Sequence, residues 1–235
     1  PPVPTARSSV LVARVGVLDR RDGTSRDLSP ADCGFGYRES RLKRQAASRF
    51  RRLSVTYRLR PGGPPSAHYP ELDRHLAHCG ITTPSIEDVR AAVLAIRRRK
   101  SMVFDPADPN ARSCGSFFVN PVVSSAAASA IADRCPPGAP PLPRYALPDG
   151  RVKLAAAWLI EQAGLARGTR EGNVGLSDHH SLAVVTRPGA TAREVVRFAW
   201  RIRHAVHDRF GIDLVPEPVA WGFAHRIDGL PAEDD

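Results

Sequence analysis

A seven-residue stretch near the middle of the chain is Gly115-Ser116-Phe117-Phe118-Val119-Asn120-Pro121. Gly115 lets the backbone approach a ligand closely and adopt a φ that other residues resist. Ser116 offers a hydroxyl group, and the two phenylalanines after it predict a short apolar strand that holds it rigidly. Pro121 ends that strand, because proline cannot donate a backbone hydrogen bond. A glycine–serine turn before a buried strand is also common without any chemistry, so this stretch alone favours a structural role.

The composition of the chain is typical of a soluble globular protein. Hydrophobic residues make up 42% and charged residues 25% of its 235 residues, and no apolar run is long enough to cross a bilayer. The first residues lack the charged-then-apolar layout of a signal peptide. The four cysteines are scattered without a C-x-x-C pair, which argues against a zinc site. We therefore expect free thiols and a cytoplasmic protein.

The formal net charge of +10 leaves two kinds of partner open. The densest basic clusters are Arg49-Phe50-Arg51-Arg52 and Arg97-Arg98-Arg99-Lys100. Arginine forms fork-like contacts with carboxylate and phosphate groups, so both an anionic ligand and a nucleic acid are compatible with these clusters. The second cluster lies at the C-terminal end of a predicted helix, where cations suit the helix dipole. We favour that structural role over nucleic-acid binding.

Hydrophobic periodicity predicts strands and helices that do not alternate strictly. Strands are predicted from β-branched or alternating runs, and helices from capping residues followed by an apolar stripe. The predicted strands cover residues 10–18, 25–28, 53–59 and 182–186, and the predicted helices cover 69–79, 84–100, 124–134, 152–163 and 191–210. This mixture favours an α+β fold over a doubly wound sheet.

Several side chains are placed where they could bind anions. An arginine beside an aromatic residue, as in Gly36-Tyr37-Arg38, suits a bidentate carboxylate clamp or an ordinary surface turn. Tyr145 and Lys153 flank a Pro-Asp-Gly turn and could bracket a phosphate, although a lysine on a solvated first helical turn would give the same pattern. Glu217 lies between two prolines, which could hold its carboxylate in a stiff frame. Alternatively, Glu217 is a solvent-facing residue in an extended tail.

Familiar nucleotide-binding and hydrolase motifs are missing from the sequence. No G-x-G-x-x-G or Walker-type loop follows a predicted strand, and no G-x-S-x-G elbow is present. His179 and His180 are adjacent, and adjacent side chains on a strand point to opposite faces, so we do not expect them to share a metal ion. Single motifs therefore leave the function open.

Five segments are informative when taken together, namely residues 33–41, 99–106, 115–121, 149–160 and 214–218. In this order they resemble segments of the UDP-N-acetylenolpyruvoylglucosamine reductases (UDP-N-acetylmuramate dehydrogenases), the flavin enzymes of bacterial peptidoglycan synthesis. They occur in the family's order and spacing, and the Asp-Pro-rich sequence after Lys100 resembles the actinobacterial branch.

The resemblance implies that a hydride passes from NADPH to FAD and then to the enolpyruvyl double bond of a UDP-sugar, giving UDP-N-acetylmuramate for the cell wall. It implies that Ser116 donates a proton to the resulting carbanion, while Arg38 and Glu217 hold and polarise the neighbouring carboxylate. No metal takes part in this chemistry. The further substrate contacts implied by the resemblance are Tyr37, Lys100, Asn120, Tyr145, Lys153 and His180.

The resemblance also implies a partial flavin-binding domain followed by a mixed α/β substrate-binding domain. We expect the C-terminal part of an FAD-binding domain over residues 1–100, the substrate-binding domain over 101–213 and an extended segment with the catalytic glutamate over 214–235. The family's N-terminal flavin-binding half has no counterpart in the sequence. We expect a monomer without membrane contact. The alternatives are a truncated inactive fragment of that enzyme or a basic nucleic-acid-binding module.

Overall fold

The structure, a computed structural model, describes residues 11–36, 40–44, 49–65, 69–135, 138–220 and 222–223. The chain divides into two compact units, one up to Val93 and the other from Leu94. Each unit combines helices with antiparallel strands, which confirms the predicted α+β class. The predicted division into flavin-binding and substrate-binding segments concerns ligands and stays a prediction. Among the described residues, no helix has the length and apolar character needed to span a bilayer.

The first unit is built on a three-stranded antiparallel sheet with the order β2–β1–β3. Its strands are β1 (Val12–Asp19), β2 (Thr24–Leu28) and β3 (Phe50–Tyr57). A tight Asp-Gly turn joins β1 to β2, and Gly23 supplies the positive φ, 70°, that such turns need. The helices that follow in sequence are α1 (Pro30–Cys33), α2 (Arg41–Arg44), α3 (Pro70–His78) and α4 (Ile86–Arg99).

A buried ion pair lies beside the small apolar core of the first unit. The core consists of Val15, Val17, Cys33 and Leu42. Asp19, at the end of β1, is also fully buried. Arg49 donates to its Oδ2 from Nε at 2.9 Å and from Nη2 at 2.6 Å. These charge-assisted bonds are the main reason why the pKa of Asp19 falls from 3.8 to about 2.

Strand β3 is an edge strand that exposes large apolar side chains. In the order β2–β1–β3, it has a partner on one side only within the described part of the chain. Leu53, Val55 and Tyr57 are 60%, 45% and 52% exposed. Unpaired backbone groups next to apolar side chains form a template on which another strand can pair.

The second unit contains two small antiparallel sheets, with the orders β4–β10–β9–β8 and β5–β7–β6. Its strands are β4 (Ser113–Ser116), β5 (Val122–Val123), β6 (Arg144–Ala146), β7 (Val152–Leu154), β8 (Arg170–Glu171), β9 (Val174–Leu176) and β10 (Ala183–Thr186). Its helices after α4 are α5 (Ser125–Asp133), α6 (Ala156–Gln162) and α7 (Ala192–Phe210).

Helix α7 forms as its sequence predicts and covers the core of this unit. Thr191 and Glu194 form a reciprocal capping box at its start, and Gly211 ends it with φ 67°. The side chains of Phe198, Ile202 and Val206 are all buried in one core cluster. Burial of this stripe is the main stabilisation of an amphipathic helix, since helix propensity alone contributes little.

The predicted helix over 152–163 is wrong at its start. Residues 152–154 form β7, which pairs with β5 on one side and with β6 on the other. The helix begins only at Ala156, whose backbone N–H donates to the side-chain Oδ1 of Asn120 at 2.9 Å. The two flanking strands satisfy the backbone of residues 152–154, and this long-range pairing overrides the local helical pattern.

The predicted strand at Phe117 and Phe118 also needs correction. The regular strand β4 ends at Ser116, and Phe118 forms only an isolated antiparallel bridge, with Pro216. Both phenylalanines are buried in the core of the second unit. The stretch therefore connects β4 to the C-terminal segment of the chain, and it anchors Ser116 through burial.

Candidate functional site

Ser116 lies at the end of β4, directly after a β-bulge. Ala183 pairs with Ser116 and Val185 pairs with Ser113, so three steps along β4 match two steps along β10. Gly115 adopts φ 84° within this bulge. A Cβ on Gly115 would meet no atom within 4 Å, so the glycine is needed for its backbone conformation and not for space. The bulge therefore sets the direction of the half-buried Ser116 side chain.

The C-terminal segment places Glu217 beside this strand. Phe118 and Pro216 form the antiparallel bridge, the N–H of Val119 donates to Val215 O at 2.9 Å, and the N–H of Glu217 donates to Phe117 O at 2.8 Å. Glu217 thus lies opposite Phe117, the residue that follows Ser116. Its side chain is exposed.

Helix α7 holds the segment that carries Glu217. Leu214 is fully buried, and its carbonyl oxygen accepts a 2.9 Å hydrogen bond from Arg203 Nε. His207 Nδ1 lies 3.0 Å from the carboxylate of Asp213. The position of Glu217 is therefore set both by the core and by polar contacts with α7.

Cys114 is a neighbour of the site that the sequence did not single out. Partial burial and, less strongly, the negative charge of Glu217 raise the pKa of its thiol. Cys114 lies two residues before Ser116, within electrostatic range of the Glu217 carboxylate. At neutral pH it is therefore a protonated thiol and not a nucleophilic thiolate.

His180 approaches the same strand from the turn between β9 and β10. The N–H of Phe117 donates to Leu182 O at 2.8 Å, and the N–H of Leu182 donates to His180 Nδ1 at 3.0 Å. Because Nδ1 accepts this bond, the neutral imidazole carries its proton on Nε2. Phe117, the residue after Ser116, is thus bonded to Leu182, two residues after His180, and also to Glu217.

Lys153 and Tyr145 come together as neighbours in a sheet. Lys153 lies opposite Tyr145 of β6 and opposite Val122 of β5. Its Nζ is 5.2 Å from the centroid of the Tyr145 ring, which is a cation–π distance. The predicted pairing of these two residues therefore arises in a strand and not at the first turn of a helix.

Asn120 links the two groups of candidate residues. It follows the Phe118 bridge, and its Oδ1 accepts from the N–H of Ala156 at the start of α6. The next residue, Pro121, accepts from the N–H of Leu154 on β7 at 2.9 Å. The part of the chain with Ser116 is thus connected directly to the sheet with Lys153, and Asn120 has a structural role at this junction.

Lys100 follows the last turn of α4 and is half-buried. The N–H of Ser101 donates to Arg98 O at 3.0 Å, and the N–H of Met102 donates to Arg97 O at 2.8 Å. These two bonds form a Schellman motif, in which Ser101 occupies the left-handed position with φ 55°. The exposed Arg97, Arg98 and Arg99 occupy the last turn of α4, as the helix-dipole interpretation predicts.

Two of the predicted site residues, Tyr37 and Arg38, lie outside the described residues. Among those that are described, no group of three His, Cys, Asp or Glu side chains is arranged to hold a metal ion.

The N-termini of α1 and α4 in the first unit are closed by capping side chains, Ser29 with Asp32 and Ser85 with Asp88. These two N-termini therefore do not offer the open N–H groups with which a helix start can bind a phosphate of FAD.

Comparison with known proteins gives a consistent result. The family profile described as UDP-N-acetylenolpyruvoylglucosamine reductase, C-terminal domain, matches residues 106–221. Three proteins named UDP-N-acetylenolpyruvoylglucosamine reductase are similar across most of the chain. The protein from Ralstonia nicotianae is 43% identical over 201 residues, which are 86% of this chain and 56% of that protein. The Thermobifida fusca protein is 42% identical over 219 residues, 91% of this chain and 61% of that protein. The Mycobacterium tuberculosis protein is 42% identical over 224 residues, 92% of this chain and 60% of that protein.

The chain thus spans somewhat more than half the length of the curated relatives that it matches. A crystal structure of the UDP-N-acetylenolpyruvylglucosamine reductase from Thermus caldophilus matches with a TM-score of 0.45 and 21% identity, covering 88% of this chain and 52% of that one. The family profile and the sequence relatives confirm the resemblance of the five segments. The chain belongs to the UDP-N-acetylenolpyruvoylglucosamine reductase family and carries its C-terminal domain.

Proposed function

We propose that the chain supplies the substrate-binding part of a cytoplasmic, NADPH- and FAD-dependent reductase that converts UDP-N-acetylenolpyruvoylglucosamine into UDP-N-acetylmuramate. The observation that carries this proposal is the strand register that places Glu217 opposite Phe117, next to Ser116. A hydroxyl donor and a carboxylate, brought to neighbouring backbone positions from distant parts of the sequence, suit the reduction of a double bond that bears a carboxylate. Membership of the reductase family supports the same substrate class.

Ser116 is the proton donor in this proposal. When a hydride adds to the enolpyruvyl double bond, negative charge develops on the carbon beside the carboxylate, and the Ser116 hydroxyl protonates that carbon. A hydroxyl is a weak acid, so the transfer depends on close positioning and on charge stabilisation of the intermediate. The bulge at Gly115 supplies the positioning. Arg38 supplies positive charge toward the substrate carboxylate, and Glu217 helps to hold and polarise that group.

Tyr145 and Lys153 bind the nucleotide end of the substrate. The Tyr145 ring is 52% exposed, which leaves a face on which a uracil ring can stack. Lys153 Nζ lies 5.2 Å from the centroid of the Tyr145 ring and offers a cation to the diphosphate. Lys100, Asn120, Tyr37 and His180 are proposed as further contacts along the sugar and the enolpyruvyl group.

We expect the flavin to be held jointly with the part of the relatives' length that these 235 residues do not span. The capping boxes of α1 and α4 leave neither of these helix starts open for the pyrophosphate. The exposed apolar edge of β3 offers a surface on which further strands can pair. The chain's own residues bind and orient the UDP-sugar and deliver the proton.

Direct titration tests the proposed substrate class. UDP-N-acetylenolpyruvoylglucosamine is added to the purified 235-residue chain in a calorimeter, with UDP as a second ligand and a short DNA duplex as a third. We expect saturable binding of the first two, lost in Lys153→Ala and retained in Lys43→Ala, a lysine in the other unit. A folded chain that binds neither UDP compound contradicts the proposal. DNA binding that weakens steeply with added salt would instead support the nucleic-acid-binding alternative.

A further inference from the structure

Buried polar residues cluster around two of the proposed substrate contacts. In the described part of the second unit, the buried polar residues are Ser101, Asn110, Ser177 and Ser181, each at most 5% exposed. Ser101 directly follows Lys100, and Ser181 directly follows His180. A buried polar group is costly unless it is hydrogen-bonded, so such a cluster needs a specific reason.

Asn110 ties the loop after α4 to the turn that carries His180. Its backbone N–H donates to Asp108 Oδ1 at 2.8 Å, and its side-chain Oδ1 accepts from the N–H of Asp178 at 3.2 Å. Asp178 lies two residues before His180. Arg187, just after β10, also donates to Pro109 O. The loop that contains Asn110 is therefore fixed both to the turn between β9 and β10 and to the residue that follows β10.

The same loop also contacts the residue after Lys100. The buried hydroxyl of Ser101 and the backbone N–H of Asn110 are the two main reasons why the pKa of Asp108 lies below its ordinary value. The Ser101 hydroxyl is close enough to act on this carboxylate, although no hydrogen bond of ordinary geometry satisfies it. Hydrogen bonds of Asn110 thus join Asp108 to Asp178, and the loop that contains both residues leads back along the chain to Ser101 and Lys100.

We propose that Asn110 is a positioning residue that holds the His180 turn at a fixed place relative to Lys100. The inference rests on the proposed function, in which Lys100 and His180 both contact the part of the substrate beyond the diphosphate. A neutral amide suits this position, because an aspartate would place a second carboxylate next to Asp108. Asn110 touches no reacting atom and acts only through the two segments that it joins.

Substitutions can separate this role from a general role in stability. Asn110→Ala removes the acceptor for the Asp178 N–H. The double variant Asn110→Asp with Asp108→Asn keeps both acceptors and a single negative charge, so it should restore the tie. Asn173→Ala is the matched control, because Asn173 is exposed and accepts the N–H of Arg187 through its backbone carbonyl, which the substitution keeps.

The readout is the difference between two ligands, measured by titration calorimetry. UDP reaches Tyr145 and Lys153 but not the region of Lys100 and His180. Asn110→Ala should therefore weaken binding of UDP-N-acetylenolpyruvoylglucosamine about tenfold, since small displacements of positioning groups have large effects, and leave UDP binding unchanged. The double variant should recover most of the loss, and Asn173→Ala should match the wild type. An equal loss for both ligands, or no loss for either, overturns the inference.

If the wild-type chain binds neither ligand, that result contradicts the proposed function. A second measurement then tests the role of Asn110 without any ligand. Amide hydrogen exchange and chemical shifts report the tie directly. In Asn110→Ala, the Asp178 amide should exchange faster and the amide signals of residues 100–102 should shift. If only the signals near Asp178 change, Asn110 does not couple the two segments and the inference is wrong.

Discussion

Glu217 donates its backbone N–H to the carbonyl oxygen of Phe117 at 2.8 Å, and this bond brings the C-terminal segment to the residue beside Ser116. The buried Leu214 and the Arg203 contact to its carbonyl oxygen fix the same segment from the side of α7. The proposed proton donor and the proposed carboxylate are thus held by one strand pairing and one helix. Their relative position depends on the long-range fold and not on local sequence.

Gly115→Ala should destabilise the chain and misdirect Ser116. The φ of 84° lies in the left-handed region, where a Cβ costs about 1–2 kcal/mol for L residues. No atom lies within 4 Å of the added Cβ, so the effect isolates backbone strain. Urea unfolding measures the loss, with Gly63→Ala as control, because Gly63 does not have a positive φ and its Cβ would meet nothing closer than 3.6 Å. Equal stability of the two variants would contradict this explanation of the bulge.

Arg203→Ala should loosen the segment that carries Glu217. Loss of the bond to Leu214 O should lower the free energy of unfolding by about 1 kcal/mol, the usual net contribution of one hydrogen bond. Arg201→Ala on the same helix is the control, because its exposed ion pair with Glu171 should contribute at most about 0.5 kcal/mol. Hydrogen exchange at the Glu217 amide should accelerate only in Arg203→Ala. Unchanged exchange there would show that α7 does not position the segment.

The lowered pKa of Asp19 predicts how the stability of the chain depends on pH. Its pKa is lowered from 3.8 to about 2, mainly by Arg49, so its contribution is fully present above about pH 4. The contribution is lost as the pH falls through about 2, because the folded state then has to protonate the buried carboxylate.

Urea unfolding of the wild type and Asp19→Asn between pH 5 and pH 2 tests this directly. The other carboxylates titrate in both proteins, so their contributions cancel in the difference between the two free energies of unfolding. The stability advantage of the wild type should shrink steadily below about pH 4. A difference that stays constant over this range would mean that the Asp19 carboxylate is not stabilised by Arg49.

Tyr145 should contribute to nucleotide binding through its ring and not through its hydroxyl. Tyr145→Phe should bind UDP as the wild type does, whereas Tyr145→Ala should lose roughly 1–3 kcal/mol of binding free energy, the usual range for a stacked base. Tyr69→Ala, which removes an exposed tyrosine of the first unit, should have no effect. Calorimetric titration with UDP distinguishes the three variants, and equal binding by Tyr145→Ala and wild type would exclude the stacking role.

Local signals in the sequence were enough to predict several elements. Helix α7 was predictable because Thr191 and Glu194 cap it, one apolar stripe runs along it and Gly211 ends it. The hairpin of β1 and β2 was predictable from its Asp-Gly turn. In each case the residues that decide the structure lie close together in sequence.

Other features depend on pairing across long sequence distances. Residues 152–154 look helical by local pattern, but pairing with both β5 and β6 makes them a strand. Neither Cys114 nor Asn110 belongs to a motif in the sequence. The position of Cys114 in β4 brings it near Glu217, and the fold of the loop before β4 brings Asn110 to Asp178. The candidate residues themselves could be named from a family resemblance, while the bonds that hold them could not.

The most direct test of the central claim follows Ser116 through the two halves of the proposed reaction. The chain is joined to the part of the Thermobifida fusca relative that it does not span, and flavin absorbance is followed by stopped flow. Ser116→Ala should leave reduction by NADPH unchanged and slow reoxidation by UDP-N-acetylenolpyruvoylglucosamine by about 10²–10⁴-fold, the range expected for loss of a general acid. Reoxidation by this substrate at the wild-type rate would contradict the assignment of Ser116 as the proton donor.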